Sequence, residues 1–149
     1  MTDFLHPFSN HHILGIGSDI CDIRRIKTIY ERFGNVFLEK TYAPAEQEKF
    51  HSLTELKKVP FLAKRFAAKE AIVKALGTGF GASANMCDIT TLSDPDTGKP
   101  FVTLAGKALQ TAKALAHNQE FQIFISLSDE NDFAQAFSVF ALVTQNNQE

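Results

Sequence analysis

A carboxylate and a lysine one helical turn apart, Glu70 and Lys74, stand in the alanine-rich stretch FLAKRFAAKEAIVKALGTGFG, residues 61–81. The order Glu then Lys at i and i+4 favours a helical ion pair, which stabilises a helix by about 0.2–0.5 kcal/mol. Since the same stripe of the helix otherwise holds small residues such as Ala63 and Ala67, we expect a groove there and not a packed seam. A carboxylate among cations in a groove suits a phosphate bridged by Mg²⁺, because this ion binds one or two carboxylates and substrate phosphates.

A second carboxylate, Asp19, stands where the segment GIGSD ends a predicted strand, and Asp22 follows in the first turn of the next helix. Either residue could be a helix N-cap, a role worth about 1 kcal/mol, and Asp19 could equally bind a metal. Its position alone leaves both roles open. The glycine run GTGFG after the long helix offers backbone N–H groups that can approach a phosphate, although helices commonly end at glycine.

The periodicity of the first half predicts the elements that carry these residues. Residues 11–20 predict a β-strand whose glycines let another group approach the backbone, and residues 21–34 predict a helix that ends at Gly34. A short helical turn, a break at Pro44 and a further helix to about residue 51 follow. We expect the long helix to begin at Pro60 and end at Gly77. Its core face would consist of Leu62, Phe66, Val73 and Leu76, with Lys69 as the exception.

The second half alternates strands with one helix. Residues 87–94 and 99–104 predict two strands joined by the turn DPDTG, and residues 105–118 predict an amphipathic helix. The segments EFQIFISLSD and DFAQAFSVFALVT predict two final strands. We therefore expect an α+β fold, with an antiparallel or mixed sheet packed on one long central helix. The expected organisation is a loose N-terminal extension (1–11), a single domain (12–144) and a C-terminal tail (145–149).

Composition excludes several classes of protein. The chain has 149 residues and a net charge of −2, which argues against a general nucleic-acid binder, and no apolar run approaches the roughly 20 residues of a membrane span. Its first residues lack the features of a signal peptide, and Cys21 and Cys87 stand too far apart for a zinc motif. We expect a cytoplasmic protein in a reducing compartment. Locally, six cations surround Glu70 within residues 57–74, and a second basic cluster comprises Arg24, Arg25, Lys27 and Arg32.

Two of these motifs together, GIGSDICDIRRI and FLAKRFAAKEAIVKALGTG, resemble the holo-(acyl-carrier-protein) synthase family of 4′-phosphopantetheinyl transferases. The family pattern is G-x-D followed by a helix with W/F-x-x-K-E-A-x-x-K-A. The likeness continues through GKP and ISLSDE and covers residues 12–143. It implies a 4′-phosphopantetheinyl transferase-like fold and transfer of the phosphopantetheine arm of coenzyme A to a serine of apo acyl carrier protein, which releases adenosine 3′,5′-bisphosphate.

The resemblance also implies roles for residues. Asp19 and Glu70 would hold Mg²⁺, or Mn²⁺ in its place, against the coenzyme A pyrophosphate, and Lys74 would steady the phosphate or the leaving group. Glu70 is also the nearest candidate acceptor for the serine proton, an assignment that stays open. The residues similar to coenzyme A contacts in the family are Arg65, Lys74, Gly77, Thr78, Gly79 and Pro100, with Lys57 and Lys58 near the adenosine 3′-phosphate.

The same resemblance also implies binding partners for the chain. Arg25 and Arg32 share a helix face, resemble carrier-protein contacts and would attract an acidic carrier. Relatives of this length are typically homotrimers with interfacial active sites. In one departure, Asp129 stands where many members have His, so it receives no catalytic role, and neighbouring Ser128 receives only a weak one. The N-terminal His6, His11 and His12 lie outside the pattern.

Two other functions stay open on the residues alone. A magnesium-dependent hydrolase of coenzyme A-like diphosphates would use the same Asp, Glu and Lys with water as the nucleophile, although more carboxylates than Glu70 would be expected on one helix. A module that binds coenzyme A or a carrier protein without chemistry would tolerate the loss of Asp19 and Glu70, and both are present.

Overall fold

The computed structural model describes residues 12–143, so the expectations for segments 1–11 and 145–149, with His6 and His11, lie outside the described residues. Five helices and five strands follow one another along this part of the chain. They are β1 (Ile13–Asp22), α1 (Ile23–Phe33), α2 (Asn35–Thr41), α3 (Pro44–Ser52), α4 (Glu55–Leu76), β2 (Ile89–Ser93), β3 (Pro100–Leu104), α5 (Gly106–Leu115), β4 (Phe121–Glu130) and β5 (Phe133–Leu142), with a 3₁₀ turn, Met86–Asp88, before β2.

The strands form two antiparallel sheets. The main sheet has the order β1-β5-β4, and β2 pairs with β3 in a separate hairpin. In the main sheet Gly17 lies opposite Ser138, and Ser138 lies opposite Ile125. The α+β class, the antiparallel pairing and the central position of the long helix are confirmed.

The long helix α4 packs directly on β1 through two glycines. A Cβ atom built on Gly17 would lie 1.9 Å from the carbonyl oxygen of Ala71, and one built on Gly15 would lie 1.9 Å from that of Ala75. Any side chain at either position would therefore collide with helix backbone. The group that approaches the β1 backbone, as the glycines predicted, is this helix.

The predicted start of α4 is wrong. The helix begins at Glu55, and Pro60 lies inside it. Pro60 lies beyond the first turn, where proline is best tolerated, so its missing N–H leaves the carbonyl of Leu56 without its partner in the helix. Because Leu56 is 91% exposed, water can satisfy that carbonyl. The predicted helical end at Gly77 is confirmed, since this residue caps α4 in the left-handed conformation with φ of 76°.

The predicted groove along α4 is also wrong over the first half of the helix. Ala63 and Ala67 are completely buried and belong to the core formed with α1, α3 and β5. Their small side chains allow close packing of neighbouring elements and leave no groove. The expected core residues Leu62, Val73 and Leu76 are buried, whereas Phe66 is half-buried.

Lys69, which interrupts the apolar face, is completely buried. Its ammonium group lies 2.7 Å from the carboxylate of Glu46, which is also completely buried. Local periodicity identified Lys69 as an exception but could not identify its partner, because Glu46 belongs to a different helix.

Candidate active site

Asp19 lies near the end of β1, two residues beyond Gly17, so the packing of β1 on α4 brings its carboxylate beside the helix. Its Oδ1 lies 3.2 Å from Nζ of Lys74. The same ammonium donates a hydrogen bond to the carbonyl of Ser18 at 2.9 Å. The Asp19 side chain is 18% exposed and that of Lys74 is 54% exposed, which leaves the lysine accessible to a ligand.

The structure shows which of Asp19 and Asp22 is the helix N-cap. Asp22 is the N-cap of α1, and its carboxylate accepts a hydrogen bond from the backbone N–H of Arg24 at 2.9 Å. The side chain of Arg24 also donates to it, and these hydrogen bonds lower the pKa of Asp22. Asp19 is therefore not needed as the cap and is left to face Lys74.

Glu70 lies on α4 one turn before Lys74 and is half-buried. Burial raises the pKa of Glu70, and the charge of Asp19 raises it further, whereas Lys74 and Arg25 oppose the shift. The expected ion pair of Glu70 with Lys74 is not formed within the described residues, because Lys74 pairs with Asp19. The charge of Asp19 therefore acts on Glu70, and Lys74 forms its ion pair with Asp19 alone among the two carboxylates.

The basic helix α1 lies beside this pair of carboxylates. The guanidinium of Arg25 stacks over the Phe66 ring at 5.6 Å. Its positive charge opposes the rise in the pKa of Glu70. Arg32 lies two turns further along α1 and covers the ring of Phe33 at 5.1 Å. Both arginines are exposed.

The glycine loop follows α4 directly. Gly77 and Gly79 adopt left-handed backbone conformations with φ of 76° and 72°, and Gly77, Thr78 and Gly79 are all exposed. A substituent at either glycine would meet no atom within 4 Å. The loop thus begins one turn after Lys74 and has open space around it, which suits the approach of a ligand.

Arg65 lies elsewhere on the helix. Five positions separate it from Glu70, which places the two side chains roughly 140° apart at about 100° per residue. Its Nε donates to the carbonyl of Thr91 at 2.9 Å and its Nη2 to Oγ of Ser93 at 3.2 Å. It lines a cleft of about 690 Å³ with Phe101 and other residues of the β2–β3 hairpin, and Pro100 begins β3.

Lys57 and Lys58 occupy a third location. Lys57 lines a cleft of about 470 Å³ that also contains Lys64 and Asp129. Lys58 donates to the carboxylate of Glu55 at 2.7 Å. The residues with sequence-predicted roles therefore fall into three groups, and only Asp19, Glu70, Lys74, Arg25 and the glycine loop lie together in one chain.

Asp129 is paired with Lys64, whose Nζ lies 3.0 Å from its Oδ1. The ammonium of this lysine balances the charge of the Asp129 carboxylate. Ser128, the neighbouring residue, is exposed. His12, also exposed, precedes β1.

Within residues 12–143, no group of three or more His, Cys, Asp or Glu residues is arranged to hold a metal ion. None of the helices in that range is long and apolar enough to cross a membrane.

The geometry can be compared with known proteins. Residues 15–138 match the family model described as the 4′-phosphopantetheinyl transferase superfamily. The chain is 42% identical over 128 residues to the holo-(acyl-carrier-protein) synthase of Caulobacter vibrioides, a match that covers 85% of this chain and 94% of the relative. It is 44% identical over 128 residues to the synthase of Ehrlichia ruminantium, with 85% and 95% covered.

Solved structures agree with this match. The holo-ACP-synthase of Plasmodium yoelii superposes with a TM-score of 0.77 at 38% identity and covers 91% of this chain and 100% of that chain. A synthase from Bacillus anthracis, in complex with CoA (3′,5′-ADP), superposes with a TM-score of 0.72 at 31% identity, with 88% and 98% covered.

The raised pKa of Glu70 leads to a prediction about stability. A carboxyl group whose pKa is higher in the folded than in the unfolded state stabilises the fold at low pH and loses that contribution as pH rises through its folded pKa. We expect Glu70→Gln to melt at the same or a higher temperature than the parent protein at pH 7, with the difference vanishing below the unfolded pKa, near pH 4. Thermal melts at both pH values test this; a variant that melts lower at pH 7 would contradict it.

Proposed function

The chain belongs to the 4′-phosphopantetheinyl transferase superfamily, and on that premise we propose that it is a holo-(acyl-carrier-protein) synthase. It transfers the 4′-phosphopantetheine arm of coenzyme A to a serine of apo acyl carrier protein and yields holo carrier protein and adenosine 3′,5′-bisphosphate. The observation that carries the proposal is the meeting of Asp19, Glu70 and Lys74 on β1 and α4, in a chain that matches synthases over most of its length.

The two carboxylates fit a divalent cation. Asp19 raises the pKa of Glu70 by repulsion, so a cation between them would relieve an unfavourable charge pair. Mg²⁺ suits two protein carboxylates because it takes its other ligands from water and substrate phosphate, and Mn²⁺ accepts the same oxygen donors. Asp19 and Glu70 would hold this cation, and its charge would supply polarisation of the attacked phosphate and stabilisation of the leaving group.

The chain's own residues supply positioning and charge, which phosphoryl transfer requires most. Lys74 is held at the site by Asp19 and the Ser18 carbonyl and keeps one donor for a phosphate oxygen, since an ammonium has three. Backbone N–H groups of the glycine loop, Gly77, Thr78 and Gly79, can approach the same phosphates. Glu70 accepts the proton of the attacking serine, a role that its raised pKa suits.

The two cysteines support a reducing compartment, and we infer a cytoplasmic protein. Both Cys21 and Cys87 are free, and burial raises the pKa of Cys21 to about 11.

The first experiment is intact mass spectrometry of apo acyl carrier protein incubated with this protein, coenzyme A and Mg²⁺. We expect the carrier to gain one phosphopantetheine group, with no gain in EDTA. Glu70→Gln should lower the rate by about 100-fold or more, a usual loss for a positioned acid–base group. Asp19→Asn should also lower the rate, because it removes a carboxylate proposed to hold the cation. Lys113→Gln, on the exposed surface of α5, serves as the control and should keep the parent rate.

Two results would contradict the transferase proposal. Consumption of coenzyme A without a mass gain would indicate the hydrolase instead. Binding of coenzyme A without consumption or mass gain, tested with carriers from several bacteria, would indicate a binding module.

The exposed arginines of α1 support docking of an acidic carrier protein. Because Arg25 also acts on Glu70, its replacement would disturb the chemistry, so Arg32→Glu is the cleaner test. We expect a KM for the carrier about tenfold higher, equivalent to about 1.4 kcal/mol, with an unchanged KM for coenzyme A. An equal charge reversal on α5, Lys107→Glu, should change neither constant, and an unchanged carrier KM in Arg32→Glu would refute the docking role.

Two features support a homotrimer. The face of the main sheet that points away from α4 is apolar and exposed, with Ile16 at 61%, Ile20 at 67% and Phe137 at 45%. In addition, Arg65 and Pro100 lie apart from Asp19 and Glu70 in a single chain. We infer that copies of the chain cover each other's exposed sheet and complete the site with Arg65 and Pro100 from a neighbour.

Light scattering after size exclusion tests this assembly. We expect a trimer for the parent protein and monomers with little activity for Phe137→Asp, because a charge would be buried in the interface. Val36→Asp, at a similarly exposed apolar residue on α2 (52%), should stay trimeric. A fully active monomeric parent protein would rule out a shared site.

A further inference from the structure

The buried ion pair of Glu46 and Lys69 is the most highly connected polar group in the described core. Oε2 of Glu46 accepts from Nζ of Lys69 at 2.7 Å and from the backbone N–H of Ala43 at 2.8 Å. Its Oε1 accepts from the backbone N–H and the hydroxyl of Thr91, at 2.9 and 3.1 Å. The carboxylate thus joins α3, α4 and β2.

Lys69 likewise uses all its hydrogen-bond donors. Besides Glu46, its ammonium donates to the carbonyl of Met86 at 3.1 Å and to the carbonyl of Ile89, so each of its three N–H donors has an acceptor. Burying two charges costs more free energy of solvation than an apolar pair of similar volume. Stability alone therefore does not account for the pair.

Several hydrogen bonds of the Glu46–Lys69 pair are with β2, the first strand of the β2–β3 hairpin. Among residues 12–143, this hairpin has no strand pairing to the main sheet, so side chains must fix its position against α4. Lys69 holds the carbonyls where β2 begins, and Glu46 holds Thr91 in its middle. Arg65 binds β2 at the Thr91 carbonyl and the Ser93 hydroxyl.

Arg65 depends on this arrangement. Its guanidinium has five N–H donors, and β2 engages its Nε and Nη2. The rest of the group lines the cleft of about 690 Å³ between α3 and the hairpin, together with Lys49. Movement of Thr91 or Ser93 would turn the guanidinium within this cleft.

We propose that Glu46 and Lys69 are positioning residues for coenzyme A binding, which fix the β2–β3 hairpin so that Thr91 and Ser93 orient Arg65 towards the ligand. The inference rests on the proposed function, in which Arg65 contacts coenzyme A. Although Lys69 precedes Glu70 in the chain, the side chains of the pair form no hydrogen bond or ion pair with Asp19, Glu70 or Lys74. The pair therefore acts on ligand affinity and not on the chemical step.

The informative variant is the double replacement Glu46→Leu with Lys69→Met, because each single replacement would leave an unpaired buried charge. We expect the double variant to melt cooperatively and to show a KM for coenzyme A about tenfold or more above that of the parent. Its kcat should stay within about threefold and its KM for the carrier should not change, the signature of lost ligand binding. Leu38→Val, a truncation in the core of α2, is the matched control and should leave the KM for coenzyme A unchanged.

A double-mutant cycle with Arg65→Lys tests whether the pair acts through Arg65. If it does, adding Arg65→Lys to the double variant should raise the KM little further, because coupled residues are not additive. An unchanged KM in the folded double variant, or a combined effect equal to the product of the separate ones, would overturn the proposal.

Two further measurements keep the result interpretable. If the double variant does not fold, Thr91→Val removes the hydroxyl bond to Glu46 alone; it should raise the KM for coenzyme A about threefold, with Thr91→Ser at the parent value. Absence of transfer by the parent protein would contradict the proposed function by itself. Calorimetric titration of coenzyme A then still decides the inference, since the double variant must bind more weakly than the parent.

Discussion

The close contact of β1 with the backbone of α4 is the constraint on which the rest of the site depends. Gly15 and Gly17 leave room for the carbonyl oxygens of Ala75 and Ala71, which would lie 1.9 Å from a Cβ atom at those positions. At this separation Asp19, the next inward-facing residue of β1, reaches Lys74 one turn beyond Glu70. A wider separation would take the carboxylate of Asp19 away from α4 and break its ion pair with Lys74.

Two adjacent residues of α4 illustrate opposite uses of charge. Lys69 is completely buried, and burial lowers its pKa while Glu46 opposes the shift; every one of its donors has an acceptor. Glu70, the next residue, has a raised pKa because of its burial and, secondly, the charge of Asp19. A charged group with all its hydrogen bonds made can hold helices and strands together, whereas a charged group at the surface without such partners is available to a ligand. The unfavourable electrostatic environment of Glu70 therefore coincides with the place of the proposed chemistry.

The helix also separates the residue proposed for ligand recognition from the residues proposed for the chemistry. Glu70 and Lys74 lie on the side of α4 that faces the end of β1, and Arg65 faces the β2–β3 hairpin. Coenzyme A is long, so a site divided between two sides of one helix fits an assembly in which neighbouring copies each present one side. The exposed apolar surface of the main sheet gives such copies a place to meet.

Local sequence was sufficient for the residue types and most of the elements. The spacing of Glu70 and Lys74, the G-x-D of β1, the period-2 pattern of β4 and β5 and the glycine that ends α4 are features of a few consecutive residues, and the structure contains all of these elements. Pro60 misled the prediction because the preference of proline for the first position of a helix is local, whereas the helix begins at Glu55.

Only the tertiary structure decided which groups meet. Lys74 pairs with Asp19 and not with Glu70, Ala63 and Ala67 pack in the core, and Lys69 finds Glu46 on another helix. Such contacts join residues far apart in the chain, and their geometry is set by how closely two backbones pack. Periodicity along one element carries no information about that distance, so the sequence identifies the chemical groups and the fold selects their partners.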